Sequence, residues 1–98
     1  MYIGSQLIHI YLPGVRTLKE KRKYLNSIKD RLKKNLNLSV SEINYQHLVQ
    51  RCELGICGVC RDRNSLEQLF QKAAWIMQKY PRLAFTRGEV NIEKKQTH

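Results

Sequence analysis

The chemistry this sequence offers most plainly is that of cations. Nine of its 18 lysines and arginines stand between positions 16 and 34 (Arg16, Lys19, Lys21, Arg22, Lys23, Lys29, Arg31, Lys33 and Lys34), against only Glu20 and Asp30 in the same stretch. Cations at this density neutralise phosphates and release counterions condensed on a nucleic acid, which gives affinity without reading sequence. The plainer use of such a run is a solvated face that keeps a small protein soluble. Just ahead of it, Pro13-Gly14-Val15-Arg16 joins a strand pattern to a helix start. Backbone N–H groups at such a junction can receive an anion, with Arg16 closing over it.

Two other sets of reactive residue types lead to weaker chemistry. Cys57-Gly58-Val59-Cys60 has the spacing of a thiol pair, and Cys52 could add a third thiolate for zinc. The strand period argues against this. Positions 57 and 60 differ by an odd number, so their side chains leave opposite faces, while 52 and 60 share a face but lie too far apart for one ion. The thiols are expected as small packing residues, with no metal and no cofactor implied. His9, His47 and His98 fall on a strand, a loop and the tail, with no partners at the spacing of a triad, so no catalytic residue is assigned. Tyr45, Gln46, His47 and Arg51 are the best polar group after the basic run. They lie in a connection at a sheet edge, where they either meet RNA bases or a second subunit, or simply cover the edge.

The elements that must position these residues follow from periodicity. Residues 2 to 12 alternate as a strand that Pro13-Gly14 stops, with Ile8, Ile10 and Leu12 toward the core and Ile3, Ser5, Leu7, His9 and Tyr11 on the other side. Thr17 is a fit N-cap for a helix reaching Asn35, on which Leu18, Leu25, Ile28 and Leu32 recur at helical spacing. Lys19, Lys23, Arg31 and Lys34 lie opposite that stripe, and Arg22 and Lys33 flank it. Leu38 and Val40 suggest a second strand, and Cys52–Arg61 a third that pairs with it as a hairpin. Asn64 or Ser65 can cap a second helix, with Leu66, Leu69, Phe70, Ala73, Met77 and Tyr80 as its stripe and Pro81 as its stop. Trp75 falls opposite that stripe and should be at least partly exposed. Leu83–Glu93 is the last strand, bent or bulged near Arg87-Gly88, followed by a fraying tail, 94–98.

The order is βαββαβ. Two right-handed crossovers place both helices on one face of a four-stranded antiparallel sheet, an α+β, ferredoxin-like sandwich whose other face is open. One domain, 1–98, accounts for the chain, since 98 residues build one core. No run of about 18 apolar residues is present for a membrane span, and three cysteines within nine positions make a poor secreted framework, so a cytoplasmic location is expected. An RNA-recognition mode on the open sheet needs rings on the first and third strands. Tyr11 is available, but positions 51–61 hold no aromatic residue, which removes that mode.

Two segments carry a family resemblance. Pro13-Gly14-Val15-Arg16-Thr17-Leu18-Lys19-Glu20-Lys21-Arg22 resembles the start of the first helix in the bacterial YlxP-like family, and Val40-Ser41-Glu42-Ile43-Asn44-Tyr45-Gln46-His47-Leu48-Val49-Gln50-Arg51, followed by Leu54-Gly55, is similar to a second stretch of it. With the element order, the resemblance covers nearly the whole chain. It implies a ferredoxin-like fold and a domain of unknown function. Members are often encoded among translation factors near ribosome-binding factor A, which implies an RNA or ribosome connection.

The expected function is a non-enzymatic accessory protein that associates with RNA or the ribosome. Its contacts would be Arg16, Lys19, Lys21, Arg22, Lys23, Arg31, Lys34, Tyr45, Gln46, His47 and Arg51. The competing expectation is a homodimeric interaction module using the open sheet or an edge strand, with Leu7, His9, Tyr11 and Trp75 as partner contacts. A small hydrolase built on the Arg16 loop, resembling the acylphosphatases in size and fold class but lacking their longer glycine-rich cradle, is the third.

Overall fold

A computed structural model describes residues 1–97 of the chain; His98 lies outside the described residues. Thr17, in extended conformation, accepts a hydrogen bond from the Glu20 N–H at 3.1 Å and so satisfies one of the four orphan donors that begin α1, Leu18–Leu36. The helix ends where Asn37 turns into the left-handed region at φ 54°. The second helix, α2 (Arg63–Met77), is capped two or three residues earlier than the sequence suggests. Asp62, not Asn64 or Ser65, is the N-cap, and its carboxylate accepts both the Ser65 N–H at 2.8 Å and the Ser65 hydroxyl at 3.0 Å. Those two bonds to the charged form hold the Asp62 carboxyl below its ordinary value of 3.8.

The sheet runs β2–β3–β1–β4, with β1 (Tyr2–Tyr11) antiparallel to β3 (Arg51–Cys60), and β2 (Ser39–Asn44) forming the expected hairpin with β3. The last strand is broken in two. Both β4 (Ala84–Arg87) and β5 (Asn91–Lys94) pair with β1, and between them Gly88 donates its N–H to the Leu7 carbonyl at 2.8 Å while the Gln6 side-chain amide donates to the Gly88 carbonyl at 2.9 Å. The bend anticipated at Arg87-Gly88 is therefore a break pinned from both sides. Of the tail, Lys94 is still paired, and Met1 and Lys95 exchange two backbone bonds at 2.7 and 3.0 Å. Positions 94 and 95 are therefore held to the rest of the sheet rather than frayed.

The fold is α+β, with both helices over one face of the sheet. Ile8, Ile10 and Leu12 face the helices and are buried with Leu25, Ile28 and Leu32 of α1 and Leu66, Phe70, Ala73, Ile76 and Met77 of α2. Tyr80 lies past the end of α2, its hydroxyl 2.7 Å from the Ser27 hydroxyl. Gly4 lets α2 sit close on β1: a Cβ there would come within 2.7 Å of Phe70 and 2.9 Å of Leu66. No helix among the described residues is long and apolar enough to cross a membrane.

Candidate nucleic-acid interface

The structure divides the cations of the first helix into three groups. Arg16, Lys19, Arg22 and Lys23 are exposed, and Lys19, Arg22 and Lys23 line one depression of about 550 Å³ on the first turns of α1, together with Thr17, Glu20 and Asn26. Among the described residues, none of the four forms a salt bridge; the pairs found are Lys29–Glu42 at 3.1 Å, Lys34–Asp30 at 3.9 Å, Arg63–Glu67 at 3.1 Å and Lys95–Glu93 at 2.9 Å. The first half of α1 therefore carries a surface of net positive charge, four cations against the single carboxylate of Glu20, with no salt bridge among them.

The second group serves the fold at the far end of α1. Arg31 is half-buried with its guanidinium 5.3 Å from the centre of the Tyr80 ring, a cation–π contact. Lys33 and Lys34 occupy the last turn, where a positive charge complements the helix dipole. Lys34 is exposed but stands eleven residues, roughly 17 Å of helix rise, from Lys23.

Lys21 is a correction. It is 2% exposed, and its ammonium donates to the Tyr45 carbonyl at 2.8 Å and to the Leu48 carbonyl. A group closed in this way cannot reach an external phosphate. Lys21 instead ties α1 to the β2–β3 connection.

That connection brings together residues from two sets that the sequence kept apart. Tyr45, in the left-handed region at φ 68°, lies against the open face of the sheet beside His9 and Tyr11. The His9 ring stacks on Tyr11 with centroids 4.7 Å apart and on Tyr45 at 5.5 Å. The Arg51 guanidinium sits 4.2 Å from the centre of Tyr45 and 5.4 Å from that of Tyr11, and its Nε–H donates to His9 Nε2 at 3.2 Å. Tyr45 and Arg51 thus leave the helix surface and join His9 and Tyr11 in one preorganised knob, whose ring faces are largely engaged with one another. Gln46 and His47 stay exposed at the tip of the connection. A second depression of about 550 Å³, lined by Tyr11, Val15, Arg16, Leu48, Gln50 and Arg51, separates the knob from the start of α1.

The anion cradle expected at positions 13–16 is already filled. The Val15 N–H donates to the Leu12 carbonyl at 3.3 Å, and the Arg16 N–H to a Glu20 carboxylate oxygen at 3.4 Å. A substrate phosphate at this junction would have to displace the Glu20 carboxylate, which counts against the hydrolase reading.

The remaining predicted contacts separate as well. Leu7 lies on the open face near its centre, whereas Trp75, 57% exposed, stands on α2 on the opposite side of the molecule. Leu7 and Trp75 therefore cannot belong to one interface. Cys57 pairs across from Ser5 on the open face and Cys60 from Tyr2 on the helix side, so the two thiols point apart as the strand period requires. Cys52 is fully buried, and desolvation, reinforced by the Glu42 charge, pushes its thiol up to about 11, which leaves it unreactive near neutral pH.

Residues 3–90 match the family model described as "Protein of unknown function (DUF503)". Over 70 residues the chain is 36% identical to the uncharacterized protein YlxP of Bacillus subtilis (strain 168), a match that spans 71% of this chain and 76% of that protein. Among solved structures, a dimeric ferredoxin-like protein from an uncultured marine organism superimposes with a TM-score of 0.53 at 12% identity, covering 99% of this chain and 100% of that one. SnoaB, a cofactor-independent oxygenase from Streptomyces nogalater, does so with a TM-score of 0.54 at 8% identity, over 100% and 97% of the two chains. At these identities the likeness is one of fold.

Proposed function

The chain belongs to the family of proteins of unknown function DUF503, and from that premise we propose that it is an RNA-binding accessory protein with no catalysis of its own. The reading rests on one observation: Arg16, Lys19, Arg22 and Lys23 crowd the start of α1, all exposed and none of them paired with a carboxylate. Four cations left without partners repel one another and weaken the helix slightly unless a polyanion neutralises them. Their spacing along the first two turns suits successive phosphates, while Gln46 and His47, exposed at the neighbouring loop tip, can meet bases or sugars. Such contacts position an RNA without reading a long sequence, which fits an accessory factor on a structured RNA such as the ribosome better than a sequence-specific regulator.

Photo-crosslinking of the protein to RNA, followed by peptide mapping, tests the surface. Crosslinks are expected within 16–26 and at 46–48. Crosslinks concentrated on α2 around Trp75, or spread evenly over the basic residues, would overturn the assignment.

A further inference from the structure

We propose that the open face of the sheet is the interface of a symmetric homodimer, which goes beyond RNA binding and leaves α1 of each copy outside. Directly paired residues share a face of a sheet, so the register places Val59, Ile3 and Glu93 in a row at one end of the open face, Gly55 and Leu7 at its centre, and Arg51, Tyr11 and Ala84 at the other end.

Charge singles out a second copy as the occupant. On a chain of net charge +10, the paired rows of this face hold one cation, Arg51, against two carboxylates, Glu53 and Glu93, and beyond them only Lys95, paired with Glu93 at 2.9 Å, and the Met1 ammonium stand at its rim. A polyanion has no reason to prefer this face. Two copies of a strongly basic protein, by contrast, can meet here without facing each other's positive charge, whereas α1 against α1 would be repulsive.

The two ends of the face also complement each other. One carries the knob of Tyr11, His9, Tyr45 and Arg51, rigid and of the composition that dominates protein interfaces. The other carries the exposed Val59 (58%), Ile3 and the carboxylate of Glu93, whose solvent-exposed pair with Lys95 costs little to exchange. A two-fold axis lying between the faces, across the strands near Leu7, sets the knob of each copy over the apolar, acidic row of the other, twice over.

Leu7, 47% exposed, stands in a trough of about 680 Å³ because Gly55 and Gly88 raise no side chain beside it, and Ile43 leans over Gly55 from the rim. The trough has room for the Leu7 and Ile43 side chains of a partner. Four strand positions at about 4.8 Å and ten residues at about 3.3 Å make a face of roughly 600 Å² in plan. The relief of its side chains brings that near the ~800 Å² per partner of a standard interface.

Sedimentation equilibrium on the full chain, freed of nucleic acid, decides the matter. A dimer is expected in the micromolar range. Leu7→Arg, a change at an exposed position, should raise the dissociation constant at least a hundredfold while the circular dichroism spectrum stays unchanged, and Val59→Arg, which puts a cation opposite the partner's knob, should raise it about tenfold. Cys57, inside the trough, should alkylate more slowly as protein concentration rises. A wild-type protein that remains monomeric at 100 μM, or a Leu7→Arg variant that dimerises as well as wild type, would overturn the proposal without touching the RNA reading, whose cations Lys19, Arg22 and Lys23 lie on α1, on the helix side of the sheet.

Discussion

Replacing Lys21 with alanine is expected to lower the unfolding free energy by about 3 kcal/mol and the melting temperature by on the order of 15 °C. The ammonium is 2% exposed and donates to two backbone carbonyls of the β2–β3 connection, those of Tyr45 and Leu48. Alanine removes both charge-assisted bonds, leaves the Leu48 carbonyl short of a donor while that of Tyr45 keeps the Leu48 N–H at 3.1 Å, and opens a cavity where the four-carbon stem packed among core residues. Tyr45 also loses the contact that holds its carbonyl while its backbone is in the left-handed region at φ 68°, a conformation that disfavours a bulky residue. One opposing effect is real: burying a lone cation costs several kcal/mol, and removing it recovers that cost. Lys21→Met separates the two, since it keeps the stem and removes only the charge. Urea titration should place Met between wild type and Ala, with an unchanged m-value. A Met variant as stable as wild type would mean that the desolvation cost cancels the two hydrogen bonds, and that Lys21 contributes only its hydrocarbon.

Gly4→Val is expected to cost about 3 kcal/mol, at the upper end of what overpacking a core costs. A first carbon at this position already falls 2.7 Å from Phe70 Cε2 and 2.9 Å from Leu66 Cδ2, and valine adds two methyl groups to it. The Leu66 methyl can rotate away. The Phe70 ring, 1% exposed and closed in by the core, cannot, so α2 must lift from β1. Valine is otherwise the better strand residue, by up to about 1 kcal/mol, and it narrows the unfolded ensemble. The steric term wins by distance alone. Gly14→Ala is the contrast: nothing lies within 4 Å of the added carbon, so only its left-handed backbone, φ 79°, opposes the change, and the loss should be about 1 kcal/mol. Thermal or urea unfolding of the two variants ranks them directly. Equal losses would show that α2 is free to shift on the sheet.

The fold was legible because hydrophobic period and helix signals agree along most of this chain. Thr17 before Leu18, alternation through Ile8, Ile10 and Leu12, and the punctuation at Pro13-Gly14 each specify the same element boundaries that backbone hydrogen bonds require. Asp62 escaped notice as a cap because Asn64 and Ser65 are equally good capping types two and three residues on; only the geometry of the chain leaving β3 chooses among them. The site was less legible, for reasons that can be named. Lys21 was counted among surface cations by its type, yet Leu18, Lys21, Leu25, Ile28 and Leu32 are spaced three and four apart, so its position on the apolar stripe was present in the sequence. The knob could not have been seen that way. Tyr45 and Arg51 reach His9 and Tyr11 through a turn of left-handed backbone at a tyrosine, which local residue preference disfavours, and through strand register, which no local pattern prints.

The measurement that bears most directly on the central claim is the salt dependence of binding to isolated ribosomal subunits and to an unrelated RNA, for wild type and for Lys19→Ala, Arg22→Ala, Lys23→Ala combined. Each phosphate contact removed should lower the slope of log K against log salt by about 0.7–0.9, so the triple variant is expected to lose about 2 units of slope on any RNA, while subunits outlast the unrelated RNA as salt rises. An unchanged slope in the triple variant would contradict the account, because it would show that the unpaired cations of α1 touch no phosphate.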